Sequence, residues 1–534
     1  MTSLDWVRRS GFAYLPCTTF FCDSFAHTSH PFFRRAFVLS SNEFQSFKME
    51  CQSHSTATKD ALVAKASPAQ VSINRLPPEL IIIILSHVSD ARSLMRLALV
   101  SKTVYHGFMV AERDIAQAVC INQTDPLLMR EVVAVIRSMQ MSPWSSEKVT
   151  QDLKIFFTPE PDLTVSKWDL KTAVSIWKVQ NLVKAFTAGF ASSALLKLGG
   201  DTANIPFTRS ELRRFERAFW RFELYCNLFR NTYLDRIRRS YFIYEQQKEV
   251  FLDRLPPLEN EQLTCVYDYL RGQIAEAVED IAAHDIEWGG EWQIPWLDDY
   301  NDEDCAVKDA LLSRGLANIY KLRNTRTYDQ RMDFIGRGEK NWPGCPEAND
   351  DFLFNSLSLG HEDLVQSTLT QEEIEGQYFP KSLCDDGDPG PRAAWRWGFS
   401  TQISHAQCVP DNWYYRQRAY VMWDMLRISK WGILTEDRDL VPREIDLAYT
   451  ASSRELDVQK ASMSARSEIY HKGGRGWWEP GDESFVQWIT GDKKLYDEFQ
   501  ANGRRYPVPQ DRNPYWKGLD DYTFYTAITR KFIT

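Results

Sequence analysis

The sequence predicts a mainly α-helical protein, in which a short three-helix unit near the N-terminus is followed by a large irregular all-α region. Three observations predict it. Apolar residues recur at alternating steps of three and four in several long stretches. Alternating strand patterns and hairpin turns are scarce, and no repeat of about 20 to 50 residues marks a propeller or solenoid. The length of 534 residues corresponds to roughly three domains. A composition that is 43% hydrophobic and 13% aromatic supplies ample core.

Residues 1–70 have a different texture, mixing aromatics with Ser and Thr and closing on the polar stretch SHSTATKDALVAKASPAQ. They are expected to be disordered. Arg8, Arg9, Arg34 and Arg35 among hydroxyl residues also suit a mitochondrial presequence, and Met49 offers a second start that leaves the presence of residues 1–48 open. Next comes RLPPELIIIILSHVSD, residues 75–90, with six consecutive aliphatics from Leu80 to Leu85. As a helix over 79–88 these side chains, about 100° apart, cover the whole circumference, so the helix must be buried on every side. A second short helix is expected to carry Leu94, Met95, Leu97 and Ala98, and a third Val100 and Val104. Three such helices bury too little surface to hide the first, so something else must cover it.

Beyond this unit, WDLKTAVSIWKVQNLVKAF (168–186) reads as a helix. The stretch 208–239 is the clearest of all: Leu212, Phe215, Phe219, Phe222, Cys226, Phe229 and Tyr233 form an aromatic seam at helical spacing, expected as core. Thr208 and Glu211 fit a capping box at its start. Further helices are expected over 259–288 and 413–429. Loops are expected in the acidic stretch from Trp296 to Cys305, in GRGEKNWPGCP (336–346) and in CDDGDPGPR (384–392). The organisation is then a segment over 1–70, a module over 71–110 and a helical region over 111–534 that loops near 289–305 and 336–392 could subdivide.

Charge and motifs exclude several classes of function. The 63 basic and 72 acidic residues leave a net charge of −9 with no basic block, which argues against nucleic acid as a partner. LIIIIL is too short to span a membrane, which takes about 18 apolar residues, and Asp5, Arg8 and Arg9 interrupt any secretory signal core. Ten scattered cysteines with no CxxC indicate a reducing, intracellular compartment, cytoplasm or nucleus.

No HExxH, phosphate loop, GxGxxG or GxSxG is present. Cys17, Cys22, His27 and His30 have ligand chemistry for zinc, but the loop between the pairs is far too short for a finger, and the pattern reads as coincidence. HEDL at His361, HDIE at His284 and DDYNDED (298–304) read as solvated surface, and GGRGWW (473–478) as a turn carrying two buried tryptophans. No catalytic residue, metal or cofactor is expected.

LPPELIIIILSHV followed by SLMRLALVSKTVYHGF resembles the F-box, the helical module through which receptor subunits dock on the Skp adaptor of cullin-RING ubiquitin ligases. The likeness covers about 7% of the chain, Ile73 to Phe108, and rests on Leu76-Pro77, Glu79-Leu80, Ile84-Leu85, Leu94, Leu97 and Val100-Ser101-Lys102. The family's usual tryptophan after that last motif is replaced by Val104 and Tyr105. RRFERAFWRFELYCNLF and RAYVMWDMLR are similar to the long helical C-terminal regions of fungal F-box proteins. The resemblance implies a non-catalytic ligase subunit. It would bind the Skp adaptor, and cullin through it, by Leu76, Pro77, Leu80, Ile81, Ile84, Val100 and Ser101, and would recruit an unknown protein target by its helical region. Two alternatives are an adaptor-binding scaffold that delivers no target, and an enzyme whose site is assembled from distant residues.

Overall fold

A computed structural model describes residues 73–158, 165, 167–199, 204–229, 242–290, 308–335, 352–358, 386–398, 413–435 and 453–488. The expectations for residues 1–70, for the loops at 296–305 and 336–346 and for HEDL at His361 lie outside them, and the expected loop over 384–392 turns helical at Gly390. Among the described residues are 18 α-helices and one two-stranded sheet, so the chain is mainly α. All belong to one compact unit, Ser72–Thr534.

Helix starts follow local chemistry. The helices α1 (Pro78–Ser86), α2 (Ala91–Ala98) and α3 (Lys102–Val110) form the N-terminal module. Proline opens α1, where a missing N–H costs nothing. Asp90 caps α2 by accepting the Ser93 amide, and Ser101 caps α3 by accepting that of Val104. Next come α4 (Glu112–Gln123), α5 (Met129–Gln140), α6 (Ser146–Phe156) and α7 (Leu170–Leu198). At 29 residues α7 runs well past the expected end at 186.

Helix α8 (Arg209–Phe229) is the centre of the body, packed on α5, α7 and the 28-residue α10 (Pro257–His284), with the short α9 (Tyr244–Val250) between. Its capping box is present: the Glu211 amide donates to Thr208 Oγ1 and the Thr208 amide to Glu211 Oε2, both at 3.1 Å. Phe215, Phe219, Phe222, Cys226 and Phe229 are buried, and Leu212 is half-buried; Tyr233 lies outside the described residues. Phe190 of α7 meets Phe215 edge-on at 5.2 Å, and Phe186 stacks on Phe219 at 5.9 Å. Interleaved with this seam, Arg214, Arg217 and Arg221 are also buried. Arg214 pairs with Asp386 (2.8 Å) and Asp424 (2.6 Å), while Arg221 pairs with Glu259 (2.5 Å) and Glu131 (3.2 Å). Arg217 stands 3.8 Å from Glu131.

Two expected helices are broken. The stretch 259–288 ends as α10 at His284 and restarts as α11 (Ile286–Gly290). Asp285 between them is extended, and its Oδ1 accepts the Trp288 amide at 2.8 Å, a capping role that needs non-helical backbone. Asp285 is therefore buried rather than solvated, and His284 stacks on Trp477 at 4.1 Å. The stretch 413–429 divides into α16 (Trp413–Arg416) and α17 (Met425–Trp431), after α12 (Leu316–Arg323), α13 (Tyr328–Ile335), α14 (Leu353–Ser358) and α15 (Gly390–Gly398). Between α16 and α17 the carbonyls of Val421 and Met422 are taken by Gln262 and Arg214, which competes with helix formation. Ala419 there has a φ of 51°, a left-handed conformation.

The last helix, α18 (Ser453–His471), leads into β1 (Gly474–Gly476), which pairs antiparallel with β2 (Val486–Trp488). GGRGWW is thus strand as well as turn. Trp478 is buried as expected, whereas Trp477 is half-buried. Gly290 lets α18 approach α11, since a Cβ there would lie 2.7 Å from that of Tyr470.

Two variants test this packing. Phe219→Ala should cost about 3 to 5 kcal/mol of unfolding free energy in urea titration; a soluble and equally stable variant would make the seam a binding site instead of core. Ala419→Gly should leave stability unchanged or raise it by about 0.5 kcal/mol, because relief of the left-handed strain outweighs the added chain entropy.

Candidate functional site

The six aliphatics of α1 are divided by the helix into two faces. Ile81 and Leu85, one turn apart, are fully buried. They pack with Ala91, Leu94 and Ala98 of α2, Val104 and Phe108 of α3, Ile115, Ala116 and Val119 of α4, and Ala173 of α7. Gly107 makes the closest of these approaches possible: a Cβ on it would sit 2.9 Å from Ile81 Cγ2.

On the opposite face Leu80, Ile83 and Ile84 are 46%, 52% and 40% exposed. The α2–α3 junction adds Leu99 and Val100, 45% and 53% exposed. Five large aliphatics on so small a module form an apolar surface that the other described residues do not cover, the kind of patch that marks an interaction site.

The sequence candidates are distributed as follows. Pro77, Leu80, Ile84 and Val100 are exposed, and Leu76 is half-buried against the edge of the module core. Ser101 is half-buried and its Oγ accepts the Val104 amide at 3.2 Å, so its defined work is to start α3. Ile81 points inward and must be removed from the candidates, because the turn that exposes Leu80 and Ile84 places Ile81 and Leu85 against α3. Ile83 and Leu99, outside the expected set, are exposed with Leu80, Ile84 and Val100. Ile83 follows Leu80 by three positions and so shares its face, but no pattern within an all-aliphatic run says which face is the inner one.

The face carries no chemistry beyond apolar contact. Among the described residues no group of three His, Cys, Asp or Glu side chains is placed to hold a metal ion. Cys120, Cys226 and Cys265 are buried, and burial pushes the Cys120 thiol up to about 12, far from a reactive thiolate. No helix among the described residues is long and apolar enough to cross a membrane.

A family model for F-box-like domains matches residues 73–106, which span α1, α2 and the first half of α3. No curated protein and no solved structure matches the chain.

The integrity of α2 can be tested through its cap. Asp90 Oδ1 accepts the Ser93 amide at 2.9 Å and Oδ2 the Ser93 hydroxyl at 2.7 Å. Partial burial pushes the Asp90 carboxyl up, but these bonds and one from Ser89 outweigh it and hold the carboxyl below its usual range. Asp90→Ala should cost about 1 kcal/mol. Because the folded pKa is depressed, this contribution is present above about pH 4, the unfolded value, and is lost as pH falls through the folded one. Melting curves of wild type and variant should therefore converge in acid.

Proposed function

We propose that this chain is a receptor subunit of a Skp-cullin-F-box ubiquitin ligase. Its F-box-like module docks the Skp adaptor, cullin is reached through that adaptor, and the helical region over 111–534 holds a protein target. The subunit contributes binding and no catalysis. The observation that carries this reading is the exposed aliphatic face of Leu80, Ile83, Ile84, Leu99 and Val100, lying within the stretch that matches the family. A helix whose inner stripe is already satisfied by its own module, and whose outer stripe is aliphatic, gains most by burial against a second apolar protein surface. Pro77 and Leu76, at the entry to α1, extend that surface. The depth of the α8 core supports the other half of the proposal, since a target-holding region must keep its shape without its target.

Exposure separates docking from folding in the test. Leu80→Ala with Ile84→Ala should change unfolding free energy by under about 1 kcal/mol, while weakening adaptor binding by about a hundredfold. Ile81→Ala should do the reverse and cost about 2 to 5 kcal/mol of stability. Isothermal titration with the purified adaptor reads the first effect and urea unfolding the second. A folded double variant that binds like wild type would overturn the docking role of this face. Adaptor binding without cullin-dependent loss of any protein in cells would favour a scaffold over a receptor.

A further inference from the structure

The family match ends at residue 106, yet the turn joining α1 to α2 is held from outside it. Asn122, near the end of α4, donates from Nδ2 to the Ser86 carbonyl at 2.8 Å and the Val88 carbonyl at 3.1 Å. Its neighbour Gln123 accepts the Ala91 amide on Oε1 at 3.2 Å. Ser86 is the last residue of α1 and Ala91 the first of α2, so these are groups that a helix terminus leaves without an intrahelical partner. Two adjacent side chains thus meet opposite needs, a donor for the end of one helix and an acceptor for the start of the next.

The same residues are tied to the body. Gln180 of α7 donates to the Gln123 carbonyl at 2.5 Å, and at the other end of α4 Glu112 accepts the amide of Leu170, where α7 begins, at 3.0 Å.

We infer that Asn122 and Gln123 are positioning residues for adaptor docking, fixing the angle between α1 and α2 and referring it to α7. The inference rests on the docking function proposed above. The docking face is composite: Leu80, Ile83 and Ile84 stand on α1, and Leu99 and Val100 follow α2. A partner surface shaped to both parts binds tightly only while their relative placement is kept. If the turn opens in a fraction of molecules, the apparent dissociation constant rises in inverse proportion to the competent fraction.

Hydrogen-bond polarity makes the inference testable with nearly isosteric variants. Asn122 must donate, and Asn122→Asp turns both contacts into repulsion between a carboxylate and carbonyl oxygens at a helix C-terminus. Gln123 must accept, so Gln123→Glu keeps its bond and places negative charge at a helix N-terminus, whereas Gln123→Lys removes the acceptor. The experiment uses the full chain, with adaptor titration calorimetry, thermal melting and hydrogen exchange at the Ala91 amide. Asn122→Asp and Gln123→Lys should each weaken adaptor binding by about tenfold, with the melting of the helical body unchanged. The Ala91 amide should exchange faster in Gln123→Lys. Gln123→Glu should bind like wild type. Equal binding by wild type and Asn122→Asp, equal weakening by Gln123→Glu and Gln123→Lys, or a loss that only tracks the unfolded fraction, would overturn the positioning role and leave the docking face standing. A wild type that never binds the adaptor would overturn the docking reading itself.

Discussion

The helical body depends on how α8 disposes of three arginines that it cannot expose. A guanidinium does not give up its charge on burial, so each must find carboxylates inside the fold or destabilise it by several kcal/mol. Arg221 holds Glu131 of α5 and Glu259 of α10 on its two terminal nitrogens, and Arg214 draws in Asp386 and Asp424 from the C-terminal part of the chain. Arg427 and Arg416 repeat the device in the other direction, reaching Glu211 of α8 at 2.9 Å and Glu261 of α10 at 2.8 Å. Apolar packing alone tolerates many arrangements of a bundle. Paired charges of opposite sign, buried at fixed points, tolerate far fewer, and they specify which helices neighbour α8.

That specification is what allows the opposite design at the N-terminal module. There the inner stripe of α1 is closed by α2, α3, α4 and α7, and the outer stripe is left open. Of the three hydrophobic cores among the described residues, the one around α8 and the one inside the module share two elements. In α4, Ile115, Ala116 and Val119 serve the module while Cys120 serves the body; in α7, Ala173 and Trp177 serve the module while Ile176, Val179, Val183 and Phe186 serve the body. The apolar outer face is therefore displayed by a rigid support, and the ordering cost of docking has largely been met before a partner arrives.

Much of this was legible in the sequence where local chemistry decides the outcome. The Thr208–Glu211 box and the phenylalanines of α8 are short-range patterns, and each appears in the structure as read. What was not legible depends on partners distant in sequence. Spacing marks the phenylalanines of α8 but is silent on its arginines, whose burial needs Glu131 and Glu259, 90 and 38 residues away from Arg221. Asp285 interrupts a periodic stretch because its carboxylate caps α11, and the 413–429 stretch is opened by side chains of Arg214 and Gln262. At the exposed face of α1 the motif identified the helix but not its rotation, so the expected residues include the buried Ile81 and leave out the exposed Ile83 and Leu99.

Helix α7 also acts as a lever arm. Its 29 residues extend about 43 Å at 1.5 Å per residue, with one end seated in the module and the rest in the body. A tilt of about 5° at the module end sweeps the far end through about 4 Å, given that length. Phe190, about 30 Å from the module end, moves by about 2.6 Å for the same tilt, and it is stacked on Tyr269 of α10 at a centroid distance of 4.4 Å. A displacement of that size exceeds what a close-packed aromatic contact absorbs by small adjustments. A change of tilt at the module end of α7 is thus felt as a change of packing at the α7–α10 seam.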